Sequence, residues 1–156
     1  MEITLREMID DDLPIIFAFE QEPEANWMAA FTAKDPADYA AFLAHWAKVR
    51  ADPGVTLRTI LVDGRVAGSV VCHAWFGDPE ISYWIGQAFW GKGVATQALT
   101  EFLKIVTLRP LFGRAVKDNI ASIRVLEKCG FVQYGEGRGF ANVRQAEVEE
   151  VILILR

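Results

Sequence analysis

Polar and apolar residues alternate over residues 2–8, EITLREM, with the period of two expected of a half-buried strand. Asp10, Asp11 and Asp12 then offer helix caps, and Pro14 is tolerated in a first helical turn. Leu13, Ile16, Phe17 and Phe19/Glu20 follow at helical spacing. Pro23 and Pro36 break the next stretch, so residues 23–36 read as loop or turn around Trp27. Pro36 and Asp38 start another helix, with Tyr39, Phe42, Leu43, Trp46 and Val49 on one face, ended by Asp52-Pro53-Gly54. Residues 56–62 and 66–75 predict two strands joined by Asp63-Gly64, a hairpin signal. Gly77-Asp78-Pro79 turns the chain into a further strand over 81–85.

The second half continues with a helix to about residue 106, a strand over 111–116 after Pro110, and a short helix over 120–128. Gly130 fits the left-handed position after that helix, where Phe131 can fold back on Leu126. Residues 132–143 and 148–155 read as two final strands. The order is strand, helices, three antiparallel strands, helix, strand, helix and two strands. It predicts one mixed α/β domain over residues 1–156, built on a single sheet. The strand-helix-strand unit in the middle should be a right-handed crossover between parallel strands.

Composition narrows the function. The net charge of -5, with no Lys/Arg run, argues against nucleic acid as a partner, because phosphate binders present a basic face. No apolar run reaches the about 18 residues of a membrane span, and the acidic N-terminus is unlike a signal peptide. A cytoplasmic protein without a membrane partner is the expectation. The two cysteines, Cys72 and Cys129, have no metal-type spacing, so no metal is expected. Five Trp and ten Phe suit an aromatic-rich core or a lined cleft.

The segment GQAFWGKGVAT, residues 86–96, carries the chemistry. Gly86, Gly91 and Lys92 match G-x-x-x-x-G-K, but Gly93 stands where a magnesium-binding Ser or Thr belongs. Gly91 and Gly93 begin G-x-G-x-x-G, but Thr96 replaces the last glycine, and the acid expected about 20 residues on is missing. A third reading needs neither feature. Glycines let backbone N–H groups approach a ligand closely, and the start of the following helix leaves N–H groups unpaired beside a partial positive charge. Together they cradle a diphosphate. Ala95, Ala98, Leu99, Phe102 and Val106 would dock that helix, leaving Gln97, Thr100, Glu101 and Lys104 outside. A tight connection without a ligand remains the plain alternative.

ISYWIGQAFWGKGVATQAL resembles the acetyl-CoA loop of the GNAT N-acetyltransferases, and in particular the branch of ribosomal-protein N-terminal acetyltransferases. DNIASIRVLEKCGF, residues 118–131, resembles that family's N-x-x-S-x-x-x-x-E-K-x-G-F block at the usual separation. The resemblance spans nearly the whole chain. It implies a mixed, mostly antiparallel sheet of about seven strands with a splayed parallel pair, flanked by about four helices. Acetyl-CoA would be the co-substrate, with its pantetheine arm between the strands ending near Ile85 and Val116. The acetyl carbonyl would meet N–H groups near Trp84 and Ile85, and the diphosphate would lie on Gly91, Lys92, Gly93, Val94, Ala95 and Thr96. Asn119 would bond the arm or cap its helix, and Lys128 would meet a phosphate or its own helix terminus. Trp90 departs from the family's Gln/Arg position. Leu126 replaces the tyrosine that protonates the thiolate in many members.

The implied acceptor is a primary amine, either a small molecule or a peptide N-terminus. Glu80 is the candidate base, acting through water, and otherwise an exposed charge at a strand end. Ser122 is the candidate proton donor to sulfur, and otherwise a residue of a helix's first turn. Glu20 and Glu22 are weaker acids for the base role. His73 reads as a packing partner and Cys129 as a small buried apolar group. Trp27, Phe31, Trp46, Trp75, Trp84 and Phe140 are candidate pocket walls, and Arg138 and Arg144 candidate carboxylate binders. A non-catalytic acyl-CoA-binding module is the alternative, and a homodimer is left open.

Overall fold

A computed structural model describes residues 1–156. The elements in order are β1 (Ile3–Arg6), α1 (Asp12–Glu20), α2 (Pro23–Ala29), α3 (Tyr39–Ala51), β2 (Thr56–Val62), β3 (Arg65–His73) and β4 (Glu80–Ile85). A 3-10 turn (Gln87–Phe89) leads into α4 (Val94–Ile105), β5 (Leu111–Val116), α5 (Ile120–Lys128), β6 (Val132–Ala141) and β7 (Ala146–Leu155). The strands form one seven-stranded sheet in the order β1-β2-β3-β4-β5-β7-β6. Only β4 and β5 run parallel, and α4 makes the crossover between them. No helix is long and apolar enough to cross a membrane.

The two faces of the sheet hold separate cores. On one, α4 and α5 bury Leu99, Phe102 and Leu126 against Ile60, Val70, Ile81, Leu111 and Leu153, within a cluster of 20 buried residues. Burial of a side chain such as Phe102 contributes about 2–3 kcal/mol. On the other, α1 and α3 close a smaller cluster of Met8, Leu13, Ile16, Phe42, Trp46 and Val49. Tyr39 and Leu43, expected on the same face of α3, stay partly exposed.

The expected hairpin turn is present, with Asp63 and Gly64 at φ 49° and 79°. Gly130 takes φ 96° after α5, and the Phe131 N–H donates to the Leu126 carbonyl at 3.1 Å. The structure differs over residues 23–36. Pro23 starts α2 rather than breaking the chain, because proline suits the first helical turn. The Asn26 side-chain amide donates to the Glu20 carbonyl and ties α2 to the end of α1. The sheet is therefore flanked by five α-helices instead of about four.

Candidate active site

The parallel pair opens into a wedge. β4 and β5 pair only at Glu80↔Phe112 and Ile81↔Gly113, while β4 stays bonded to β3 through Ile85 and β5 to β7 through Val116. The strand edges beyond Ile81 and Gly113 thus face each other without a ladder. Buried backbone groups need partners, so such an edge suits an extended, amide-bearing ligand. Successive N–H groups of a strand point to opposite edges. Gly86 donates to Ala67 on β3, and the Pro79 carbonyl accepts from Phe112 on β5. Tyr83 and Ile85 therefore turn their N–H groups into the wedge, and Trp84 turns its own toward β3. Of the two N–H groups expected to meet the acetyl carbonyl, that of Ile85 points into the wedge and that of Trp84 does not; the Tyr83 N–H points into it as well.

The wedge opens toward the glycine-lysine loop. Gly91 and Gly93 sit at φ 73° and 76°, and Gly93 is the N-cap of α4. A Cβ built on either meets no atom within 4 Å, so conformation and not crowding selects glycine there. Gln97 is the first helical N–H to bond back, to the Gly93 carbonyl at 3.1 Å. The N–H groups of Val94, Ala95 and Thr96 remain free at the positive end of the dipole. Lys92 is exposed beside them. Trp90 has a role that sequence reading missed: its Nε1–H donates to the Ile85 carbonyl at 2.9 Å, fastening the loop to the end of β4.

α5 forms the far side of the wedge. Asn119 caps it, its Oδ1 accepting from the Ser122 N–H at 3.2 Å, while its Nδ2 donates to the Met28 carbonyl at 3.4 Å. The Ser122 hydroxyl lies 2.8 Å from the Tyr83 hydroxyl. Burial pushes the Tyr83 phenol up to about 12, partly offset by its bond with Ser122, so it stays protonated at neutral pH. Leu126 is buried against Gly113 and holds no polar group toward the wedge. Lys128 lies exposed at the C-terminal end of α5, away from the Asn119–Ser122 end. Cys129 is half-buried rather than buried, with Sγ 3.7 Å from the Thr96 carbonyl and from Thr100 Oγ1.

This arrangement matches a known family. The family model "Acetyltransferase (GNAT) domain" fits residues 2–132. The chain belongs to the GNAT acetyltransferase family. Among solved structures, RimJ of Mycobacterium smegmatis in complex with CoA-disulfide superposes with TM-score 0.81 at 20% identity, covering 98% of this chain and 81% of that one. The spermidine N-acetyltransferase of Vibrio cholerae in complex with CoA and spermine gives TM-score 0.78 at 19% identity, covering 97% and 95%. An uncharacterized protein of Methanocaldococcus jannaschii is 26% identical over 143 residues, which is 88% of this chain. The matched regions span 29% and 55% of the lengths of two curated relatives.

Several polar side chains on the opposite face of this GNAT domain are ion-paired. Glu80, expected as base, has its Oε1 3.0 Å from Arg114 Nε, and Arg114 also holds Glu150 at 2.9 Å. Arg144 clasps Asp118 at 2.7 and 3.0 Å and lies over the Trp27 ring. On the α4–α5 side of the β6–β7 pair, Arg138 pairs with Glu149 at 3.1 Å. The two arginines expected to bind a ligand carboxylate are therefore engaged by carboxylates of the chain itself. His73 is buried and stacks on Trp75 at 4.1 Å, and burial lowers its proton affinity. Among the expected walls, Trp46 is core, while Trp27, Phe31, Trp75 and Phe140 are exposed. Trp84 is half-buried and its Nε1 has no partner.

Proposed function

We propose that this GNAT domain transfers the acetyl group of acetyl-CoA to a primary amine by direct attack on the thioester. The observation that carries the reading is the β4–β5 wedge opening onto the Gly91–Thr96 loop at the start of α4. The pantetheine arm would bond the free edges of the wedge, and the diphosphate would lie on the loop amides, with Lys92 adding charge. The Tyr83 and Ile85 N–H groups would face the acetyl oxygen and stabilise the negative charge that develops there. Ser122 would return a proton to sulfur, its hydroxyl oriented by Tyr83. Asn119 then acts first as a helix cap. CoA in the two superposed structures supports the co-substrate, and spermine in one of them supports an amine acceptor.

Thiol release tests the reading, with acetyl-CoA, the purified chain and a panel of spermine, a small monoamine and peptides with free N-termini. Acetyl transfer to one of these is expected. Failure to bind acetyl-CoA by calorimetry removes the proposal. A second reading draws on the buried Leu126: without the tyrosine acid, the domain would bind acyl-CoA and sense it. Tight binding without transfer across the panel would select that reading.

A further inference from the structure

α1 crosses the face of the sheet opposite α4 and α5. Near its start, Asp12 Oδ2 accepts from Thr59 Oγ1 on β2 at 2.8 Å. Beyond its end, Glu22 Oε1 accepts from the Gln87 N–H at 2.9 Å, just past β4. A Cβ built on Gly86 would strike the Phe19 ring at 2.5 Å, so the last turn of α1 lies directly over the end of β4. Side chains alternate along a strand. Trp84 therefore projects to the face covered by α1, while Tyr83 projects toward α5. Glu20 is the last residue of α1. It follows Ile16, which is 1% exposed, by one turn, so it shares the sheet-facing side.

Three acids cluster at this corner, and two are occupied. Glu22 holds the Gln87 N–H, and Glu24 holds the Gln87 side-chain amide at 2.7 Å. Glu80, further back on β4, is bound to Arg114. Glu20 is half-buried and makes no ion pair. Two buried indole N–H groups, Trp46 Nε1 and Trp84 Nε1, lack partners on this same face. Trp46 is near enough to Glu20 to favour its charged form, though outside hydrogen-bond geometry. Glu20 thus offers a half-buried carboxyl without an ion pair on the sheet-facing side of α1, where the last turn of that helix covers the end of β4, and so it can receive a polar group there.

We propose that Glu20 takes the proton from the acceptor amine. The inference rests on the acetyltransferase reading above. An ammonium R–NH3+ gives one proton to the Glu20 carboxylate. The neutral nitrogen attacks the acetyl carbon, the C–N bond forms, and the C–S bond breaks. The thiolate takes a proton by way of Ser122, the amide nitrogen loses its second proton, and one proton leaves to solvent for each acetyl moved. Burial pushes Glu20 up to about 7, with Trp46 opposing, which matches a base to neutral pH. The titratable groups on elements packed around α1 are Arg65 and His73 on β3, Tyr39, His45, Lys48 and Arg50 on α3, and Glu24 on α2, with Glu22 just before it.

The test compares wild type, Glu20→Gln and Glu80→Gln, using the amine that turns over best in the panel. Glu20→Gln should lower kcat about 100-fold or more and abolish the rise of kcat/KM with pH near 7, with acetyl-CoA affinity unchanged. A rise in KM alone would make Glu20 an ammonium-binding group and overturn the base role. Near-normal kcat in Glu20→Gln, with the loss confined to Glu80→Gln, would also overturn it. A second readout is independent of turnover. A carboxyl raised in the folded state above its unfolded 4.5 withdraws stability as pH rises from 4.5 through 7. Glu20→Gln should therefore raise Tm above pH 7 and leave it unchanged below about 4.5. Equal Tm for both proteins across that range would overturn the inference. Lost acetyl-CoA binding in wild type removes the enzyme reading itself, so the two failures are distinguishable.

Discussion

The two faces of the sheet differ in how they are held and in what they offer a ligand. On the α4–α5 face an apolar core of 20 residues braces a backbone site, where glycines, free N–H groups and an unpaired strand edge would do the binding proposed above. On the α1–α3 face a core of six residues supports polar side chains in contacts with one another: Asp12 with Arg6 and Thr59, Glu80 with Arg114, and Glu20 beside Trp46. Backbone geometry can serve one invariant co-substrate. Side-chain chemistry can vary with the acceptor while the donor half stays fixed.

The largest expected effect separates the halves by stability. Asp12 is 1% exposed and holds Arg6 through two bonds of 2.7 Å. Asp12→Ala leaves Arg6 unpaired and should cost about 3 kcal/mol, read as a Tm drop of roughly 10 °C. The loop should keep its acetyl-CoA affinity below the new Tm, because α4 rests on the other core; equal loss on both faces would merge the two halves. Next, Gly93→Val forces a β-branched residue to φ 76°. It should weaken acetyl-CoA about 100-fold, or about 2.7 kcal/mol, and affinity unchanged by calorimetry would remove the loop from the site.

Smaller effects probe the hydroxyl pair. Ser122→Ala should lower kcat by roughly tenfold in steady-state assays with KM for acetyl-CoA held. Tyr83→Phe, which removes one hydrogen bond, should lower it by about fivefold. The reverse order would make Tyr83 the group that meets sulfur. The smallest is a pH effect. Burial opposes ionisation of Asp12, yet bonds from Arg6, the Ile9 N–H and Thr59 hold its carboxyl below its unfolded 3.8. Its contribution is full above 3.8 and is lost as pH falls through the folded value. Acid melts should show that loss in wild type and not in Asp12→Asn.

Local backbone demands were legible in the chain. Asp63-Gly64 reads as a hairpin turn and Gly130 as a left-handed position after a helix, and both take positive φ. The parallel crossover followed from element order. Pairings between distant residues were not legible. Tyr83 meets Ser122 across 39 residues and Gln87 meets Glu22 across 65, and no periodicity encodes either. Arg144 read as a free cation because Asp118 lies 26 residues away in sequence. The helix at Pro23 was hidden because proline both breaks helices and begins them.

Amide NMR shifts during an acetyl-CoA titration test the central claim most directly. The account predicts saturable shifts concentrated on Tyr83, Ile85 and Gly91 to Thr96, with β6 nearly unmoved. Saturable binding that leaves those amides still, or no binding at all, would contradict it.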